Sequence, residues 1–198
     1  MIIIKHRVNK INELKKTSKN YGVEIDLRSN NKNIILNHDP YINGEKFTKW
    51  IKVFKHKLIV LNVKEEGLEN KIISILKKNR ISNFFFHDQT FSSLLKNRNK
   101  TKVSLRYSEF ESLKNCNFLF KHIKWIWIDH FNKFPLKKNF YRVLKMNNVK
   151  ICIVSPELVN IKLKKKISYL KKLLKKEKIN IDAVCTKFPE LWINNKND

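Results

Sequence analysis

The chain has 198 residues, of which 42 % are hydrophobic and 11 % aromatic, with only 3 glycines and 4 prolines. This composition is sufficient for a globular core and excludes disordered, collagen-like and linker-like proteins. The 43 Lys and Arg residues against 17 Asp and Glu give a formal net charge of +26. Such a charge is typical of proteins that meet polyanions, but the excess is mostly lysine scattered among Asn and Ile. We therefore interpret it first as compositional drift and solvated surfaces.

The cysteines and the amino-terminal residues indicate the cellular compartment in which the protein is expected. Cys116, Cys152 and Cys185 are far apart and form no CxxC pair, so the sequence indicates neither a disulfide scaffold nor a zinc site. The apolar run at residues 2–4 has no charged region before it and no small-residue cleavage site after it, which argues against a signal peptide. No run approaches the ~18 apolar residues of a membrane span. We expect a cytoplasmic protein.

Short apolar runs alternate with amphipathic ones along the whole chain. In chain order, strands are predicted at residues 2–6, 21–28, 33–38, 56–64, 81–87, 102–107, 125–129, 150–155 and 181–186, and helices at 11–18, 44–54, 66–78, 91–96, 109–113, 136–146 and 158–177. With 33–38 counted as an extension of the second strand, this gives about eight βα units, the number that closes a barrel.

The predicted fold is therefore α/β, a small (β/α)8 TIM barrel. A doubly wound open sheet is the alternative, but the first βα turn, His6-Arg7-Val8-Asn9, is not the glycine-rich turn which that fold usually carries. We expect a single domain over residues 1–193 and a disordered tail at 194–198.

Two carboxylates alternate with apolar residues in the second predicted strand. Glu24, Asp26 and Arg28 share one face because side chains alternate along a strand. If the apolar face packs on helices, both carboxylates point into the barrel mouth, where they need a cation beside them. Oxygen ligands of this kind suit Mg²⁺ or Ca²⁺. The alternatives are a structural ion-pair network with Lys64 or Arg28, or an edge strand whose charged face lies in water.

Two histidines end predicted strands. His6 and His38 are each followed by a charged residue, and beside a carboxylate pair they are able to act as general acid and general base across one phosphate. A lone histidine at a strand end is more often structural or merely exposed.

These segments resemble the glycerophosphodiester phosphodiesterase family. The resemblance rests on His6-Arg7, on the E-x-D strand at residues 23–27 and on His38-Asp39-Pro40. It continues through Leu61-Asn62-Val63-Lys64, where the family has Glu-Ile-Lys, to residues 184–191, which resemble the closing T-D-x-P-x-x-L strand.

The resemblance implies a barrel of the phospholipase-C-like phosphodiesterase type, active in lipid metabolism, with a divalent cation. It implies that His6 and His38 are the acid and base, and that Arg7 and Lys64 contact phosphate oxygens. Glu24, Asp26 and Asn62 would be the metal ligands, together holding Mg²⁺ or Ca²⁺. The expected partner is a small phosphodiester substrate.

The chain also departs from the family pattern. Asn62 replaces the third carboxylate, Val8 the glycine after His-Arg, and Lys187 the closing aspartate. These changes leave an alternative open, a catalytically degenerate barrel that binds a phosphorylated ligand or polyanion. Nucleic acid is supported by charge alone and is not expected as the partner. The lysine-rich segment 162–178 is interpreted first as an ordinary surface helix and second as a transient contact with an anionic membrane. The sequence does not indicate an oligomeric state.

Overall fold

The computed structural model describes residues 1–193, so the predicted tail at 194–198 lies outside the described residues. The strands are β1 Ile2–Lys5, β2 Gly22–Asn30, β3 Asn33–Leu36, β4 Glu45–Lys46, β5 Ile59–Val63, β6 Phe84–His87, β7 Ser104–Tyr107, β8 Trp125–Ile128, β9 Lys150–Val154 and β10 Ala183–Thr186. The α-helices are α1 Ile11–Lys16, α2 Phe47–Trp50, α3 Glu69–Lys78, α4 Phe91–Asn97, α5 Lys138–Met146, α6 Pro156–Val159 and α7 Lys166–Lys176. Short 3-10 helices cover Ile51–Val53, Lys114–Leu119, Ile161–Lys165 and Pro189–Trp192.

The chain forms two compact units, His6–Ser104 and a second made of Met1–Lys5 with the residues from Leu105 onward. In the first unit β5 lies between β2 and β6, and all three strands are parallel. β3 pairs antiparallel with the end of β2, and β4 pairs antiparallel with β3. The segment predicted as an extension of the second strand is therefore the return strand of a hairpin.

In the second unit β1, β10, β9 and β8 pair in that order, all parallel. β7 lies next to β8, and Asp129 N, just past the end of β8, donates to Tyr107 O at the end of β7. The carboxyl ends of these strands consequently lie at one edge. Buried strands in a parallel sheet are apolar on both faces, which explains the uninterrupted runs of β8, Trp-Ile-Trp-Ile, and β9.

A buried polar cluster lies at the carboxyl ends of β9 and β10. Glu157 is 1 % exposed, and its carboxylate accepts hydrogen bonds from Ser155 Oγ, Thr186 Oγ1 and Lys187 N. Trp192 Nε1 in turn donates to Ser155 Oγ at 2.9 Å. These hydrogen bonds hold the closing T-x-x-P segment in place. Glu157 accepts a hydrogen bond from the backbone N–H of Lys187, the position at which the family has an aspartate.

Three predicted helices differ from the observed ones. Segment 44–54 begins as β4 and becomes helical only from Phe47, because residues 45–46 pair with β3. Segment 158–177 is divided by Asn160, whose extended backbone separates α6 from the following 3-10 helix. Segment 109–113 is not helical, because the Glu109 carboxylate accepts three backbone N–H groups from residues 131–133 and holds its own segment as a loop.

Two smaller observations concern cysteines and membrane spans. Cys116, Cys152 and Cys185 are free thiols, the last two buried. Within residues 1–193, no helix has both the length and the hydrophobicity that crossing a bilayer requires.

Gly44 lies where the β3–β4 hairpin closes, and a Cβ atom there would overlap the carbonyl group of Leu36. We expect Gly44→Ala to lower the free energy of unfolding by about 2 kcal/mol, because a backbone carbonyl cannot move aside cheaply. Gly67 has a φ of +88° with no heavy atom within 4 Å of an added Cβ. Gly67→Ala should therefore cost only the left-handed backbone penalty of about 1 kcal/mol. Urea denaturation of the two variants measures the difference, and equal losses would contradict the overlap at Gly44.

Candidate active site

Two carboxylates are buried on β2. Glu24 is 1 % exposed and Asp26 is fully buried. Along this stretch β2 pairs with β5 through residues 23–27, and Val8 N donates to Glu24 O. The interpretation of this strand as an edge with its charged face in water is therefore wrong. Burying a carboxylate costs several kcal/mol unless hydrogen bonds or opposite charges compensate it.

The segment after β1 supplies much of this compensation. Arg7 adopts a φ of 52°, a left-handed conformation that turns its backbone toward β2. Arg7 N donates to Glu24 Oε2 at 2.8 Å, and the Arg7 guanidinium Nε lies 3.9 Å from Asp26 Oδ2. His6 Nε2 lies 3.8 Å from the same Glu24 Oε2. The His6-Arg7 pair thus contacts both carboxylates, one through the backbone and the other through its charge.

Asn9 makes a reciprocal pair of hydrogen bonds with Asp26. Its Nδ2 donates to Asp26 Oδ2 at 2.9 Å, and its Oδ1 accepts from Asp26 N at 2.9 Å. Sequence analysis did not assign this residue to the site. Its position could have indicated this role, because Asn9 lies two residues after Arg7 in the turn next to the buried carboxylates.

β5 contributes the amide of Asn62, and the residue that follows it contributes the amine of Lys64. Asn62 is the register partner of Asp26, and its Nδ2 donates to Glu24 Oε1 at 2.9 Å. Lys64 Nζ lies 3.6 Å from Asp26 Oδ1 and 3.2 Å from Asp88 Oδ2. Asp88, immediately after β6, is a second residue that sequence analysis left outside the site. Its position at the carboxyl end of a strand parallel to β5 could have indicated that it lies near Lys64.

Glu24 differs electrostatically from an ordinary glutamate. Burial, and next the nearby charge of Asp26, raise the pKa of Glu24 from 4.5 to about 7, against the hydrogen bonds from Asn62 and the Arg7 backbone. Burial therefore favours the protonated form of Glu24 more than in an exposed glutamate, despite these hydrogen bonds and the nearby charge of Lys64.

His38 follows β3 in the hairpin loop and is less buried than His6, with 38 % of its side chain exposed against 15 %. Its Nδ1–H donates to Asp39 Oδ1 at 2.8 Å, and its carbonyl oxygen accepts from Arg28 Nε at 3.0 Å. The hydrogen bond with His38 holds the pKa of Asp39 below its usual value. The ring is consequently fixed in the tautomer that leaves Nε2 as the basic nitrogen.

Arg7 and His38 both line a groove of about 480 Å³. Its remaining lining consists mainly of the turn after β1 and the β3–β4 hairpin, including Asn9, Lys10, Asn37 and Asn43. The structure thus places His6, Arg7, Glu24, Asp26, Asn62 and Lys64 in one cluster of contacts, and connects His38 to that cluster through the groove it shares with Arg7.

The oxygens of this cluster suit a hard divalent cation. Asp26 Oδ1 and Asn62 Oδ1 are buried, and neither makes a hydrogen bond with any residue of 1–193. Together with Glu24 they supply two carboxylates and one neutral oxygen, the ligand types that Mg²⁺ and Ca²⁺ take. No group of three or more His, Cys, Asp or Glu side chains in the described part of the chain is spaced for a metal. In this cluster the third oxygen belongs to the amide of Asn62.

Comparison with known proteins gives a likeness of structure alone. No protein-family model matches the chain, and no curated protein matches it in sequence. The structure is similar to the glycerophosphodiester phosphodiesterase of Thermotoga maritima, with a TM-score of 0.70 and 18 % identity over 96 % of each chain. It is similar to that of Agrobacterium tumefaciens, with a TM-score of 0.68 and 9 % identity over 97 % of this chain and 98 % of the other.

A third similar structure is an Oleispira antarctica phosphodiesterase in complex with the product sn-glycerol-3-phosphate. Its TM-score is 0.65 at 16 % identity, over 96 % of this chain and 94 % of that one. The prediction of a TIM barrel of the phosphodiesterase type is confirmed: the chain has the α/β fold of these enzymes along almost its whole length. The family resemblance found in the sequence is confirmed at this level of fold.

The raised pKa of Glu24 predicts a particular pH dependence of stability. Between pH 4.5 and about 7 the folded state holds a proton that the unfolded state has lost, so this residue makes folding less favourable as pH rises through that window. The penalty reaches about 3 kcal/mol above pH 7. Glu24→Gln removes it, and the Asn62 amide can rotate to offer its unpartnered Oδ1 to the new amide nitrogen.

Urea denaturation in EDTA at pH 5 and pH 8 tests this effect. We expect Glu24→Gln to gain about 2 to 3 kcal/mol of stability relative to wild type between the two pH values. Glu13→Gln, on the exposed face of α1, removes the same charge without burial and should show no such gain. A Glu24→Gln profile parallel to that of wild type would show that Glu24 is ionised across the range.

Proposed function

We propose that this chain is a cytoplasmic phosphodiester hydrolase that acts on small phosphodiesters of the glycerophosphodiester class with the help of Mg²⁺ or Ca²⁺. The observation that carries the proposal is the convergence of two buried carboxylates, two cationic side chains and a histidine in a chain with the phosphodiesterase fold. Two of the three similar enzymes are named glycerophosphodiester phosphodiesterases, and the third was crystallised with sn-glycerol-3-phosphate, which supports a substrate of this class.

Glu24, Asp26 and Asn62 would hold the cation. When bound there, a divalent cation polarises a phosphoryl oxygen and lowers the pKa of a coordinated hydroxyl group. The two buried oxygens without hydrogen bonds, Asp26 Oδ1 and Asn62 Oδ1, support this assignment.

The cationic side chains would bind the phosphate. The Arg7 guanidinium faces the groove and is held beside Asp26, so it is oriented before the substrate arrives. Lys64 is held between Asp26 and Asp88. Both charges are placed to stabilise the negative charge that accumulates on the phosphoryl oxygens as the attacking oxygen bonds to phosphorus.

The two histidines would exchange protons with the attacking and leaving oxygens. Asp39 holds Nδ1–H of His38, so Nε2 of His38 accepts the proton of the attacking water as its oxygen forms the new P–O bond. The ring of His6, beside Glu24, donates a proton to the alcohol oxygen as the old P–O bond breaks. The products are a phosphate monoester and a free alcohol, and the histidines return to their starting protonation states by exchange with solvent.

A binding-only barrel is the second candidate, and one contact favours it. The Lys64 ammonium already neutralises part of the Asp26 charge at 3.6 Å, and Asn62 contributes no charge. Such a site would hold a phosphorylated ligand through Arg7 and Lys64 without turning it over.

Hydrolysis of glycerophosphocholine with and without Mg²⁺ or Ca²⁺ separates the two candidates. We expect cation-dependent release of glycerol 3-phosphate or choline phosphate, abolished by EDTA. His38→Gln and His6→Gln should each lower kcat by roughly 10²- to 10⁴-fold with little change in KM. His56→Gln is the matched control and should keep full activity. His56 lies before the amino end of β5, and its Nε2 donates a hydrogen bond to Thr17 O. Tight product binding without turnover by wild type would favour the binding-only barrel.

Asn62 offers a test of the cation site that does not depend on activity. Asn62→Asp adds a third carboxylate and replaces the amide that donates to Glu24. We expect calorimetric affinity for Mg²⁺ or Ca²⁺ to rise roughly tenfold, while the cation-free protein loses stability because three carboxylates then lie together. Opposite changes in the two measurements would be the mark of a cation site. A loss of stability without a gain in affinity would leave the carboxylates as a purely structural network.

A further inference from the structure

Two exposed phenylalanines meet in the loops that follow β7 and β8. Phe110 is 68 % exposed and Phe131 is 40 % exposed, and their ring centroids lie 5.7 Å apart. We call them the phenylalanine pair. Phe110 forgoes most, and Phe131 a smaller part, of the free energy that burying a phenylalanine provides. An aromatic pair at a loop tip indicates a surface that meets something apolar.

The pair is held by rigid loop structure. The Glu109 carboxylate accepts hydrogen bonds from the backbone N–H groups of Phe131, Asn132 and Lys133, which lower the pKa of Glu109 despite its partial desolvation. One glutamate therefore fixes its neighbour Phe110 against the loop that carries Phe131. His130 Nε2 donates to Val154 O at 2.9 Å, which ties the same loop to the carboxyl end of β9.

A lysine-rich groove follows β9 at the same edge. It has a volume of about 570 Å³ and is lined by Lys162, Lys164, Lys165, Ile167, Ser168, Lys171 and Leu191. Residues 161–178 contain nine lysines and one acidic residue, Glu177. Ile161, 56 % exposed, stands beside the groove as a further apolar side chain in water.

The amphipathic stripe of α7 is not available for lipid. Ile167, Leu170 and Leu174 are buried in the core of their unit, so this helix cannot insert its apolar face into a bilayer as a free amphipathic helix would. The exposed apolar groups that we assign to an outside partner are instead Ile161 and the phenylalanine pair.

We propose that the phenylalanine pair and the lysine groove together form a docking surface for the anionic face of a phospholipid membrane. The lysines lie near the plane of the headgroup phosphates and the phenylalanines enter the interface beneath them. Charge complementarity selects an anionic surface, and exposed apolar side chains at the same edge of the sheet favour lipid over nucleic acid. Acidic groups near the pair do not oppose this contact, because Glu109 is held by backbone N–H groups and Glu111 by Arg106 at 3.3 Å.

Cosedimentation of the full chain with vesicles tests the proposal. We expect binding to phosphatidylcholine vesicles that contain roughly one third phosphatidylglycerol, and little binding to phosphatidylcholine alone. Phe110→Ala combined with Phe131→Ala should weaken binding roughly tenfold. Lys162→Gln combined with Lys165→Gln should do the same; Lys164 is left intact because its Nζ lies 3.8 Å from the Phe188 ring centroid.

Control positions lie at the carboxyl-terminal ends of α5 and α7. Met146→Ala is the control for the loss of an exposed apolar side chain, because Met146 is 83 % exposed at the end of α5. Lys175→Gln with Lys176→Gln, at the end of α7, removes the same two charges. Both controls should bind like wild type.

Three results would overturn the proposal. Equal losses for the two lysine pairs would show that net charge alone drives binding. Unchanged binding of the phenylalanine variant would show that no apolar contact is made. Tighter binding to a single-stranded oligonucleotide than to anionic vesicles, with the same dependence on Lys162 and Lys165, would make the surface a nucleic-acid site. Because the readout is vesicle binding, the proposed hydrolase activity can fail without affecting it.

Discussion

The burial of two carboxylates on one strand is the constraint on which the rest of the first unit depends. Glu24 and Asp26 lie on β2 with almost no exposure to water, and the pairing of β2 with β5 along residues 23–27 holds them in this position. Leaving such charges uncompensated would cost a large part of the stability of an ordinary domain. The turn after β1, the end of β5 and the residue after β6 are arranged around this requirement.

The compensation is incomplete. Hydrogen bonds from Arg7 N, Asn62 and Asn9 satisfy three of the four carboxylate oxygens, and Lys64 approaches the fourth from 3.6 Å. Stability alone does not require both carboxylates, because a well-packed pair of apolar side chains is usually at least as stable as a buried ion pair. The retention of both buried carboxylates, one of them with an oxygen that makes no hydrogen bond within residues 1–193, is a reason to regard this cluster as functional.

The succession of strands along the chain and the carboxylate face of β2 could be predicted from the sequence because both rest on local periodicity. The alternation of Glu24 and Asp26 with apolar residues fixes which side chains share a face, and His6 and Arg7 follow a strand whose apolar run is unmistakable. Asn9 and Asp88 could not be assigned in this way, because their roles depend on which strands become neighbours. The non-helical segment around Glu109 is similar: its conformation is set by backbone groups more than twenty residues away, beyond the reach of any local pattern.

The segment from Arg7 to Asn9 is fastened at each residue. Arg7 N and Val8 N donate to the side chain and the backbone of Glu24, Asn9 pairs with Asp26, and Val8 O accepts the indole N–H of Trp50 at 3.0 Å. Trp50 is fully buried, so a core residue with no polar contact to the carboxylates helps to set where the guanidinium of Arg7 stands. Tolerance to mutation should accordingly be uneven within one hydrophobic core. Substitutions at positions that pack against Trp50 should disturb the site as well as the fold, whereas substitutions at equally buried positions away from Trp50 should disturb the fold alone.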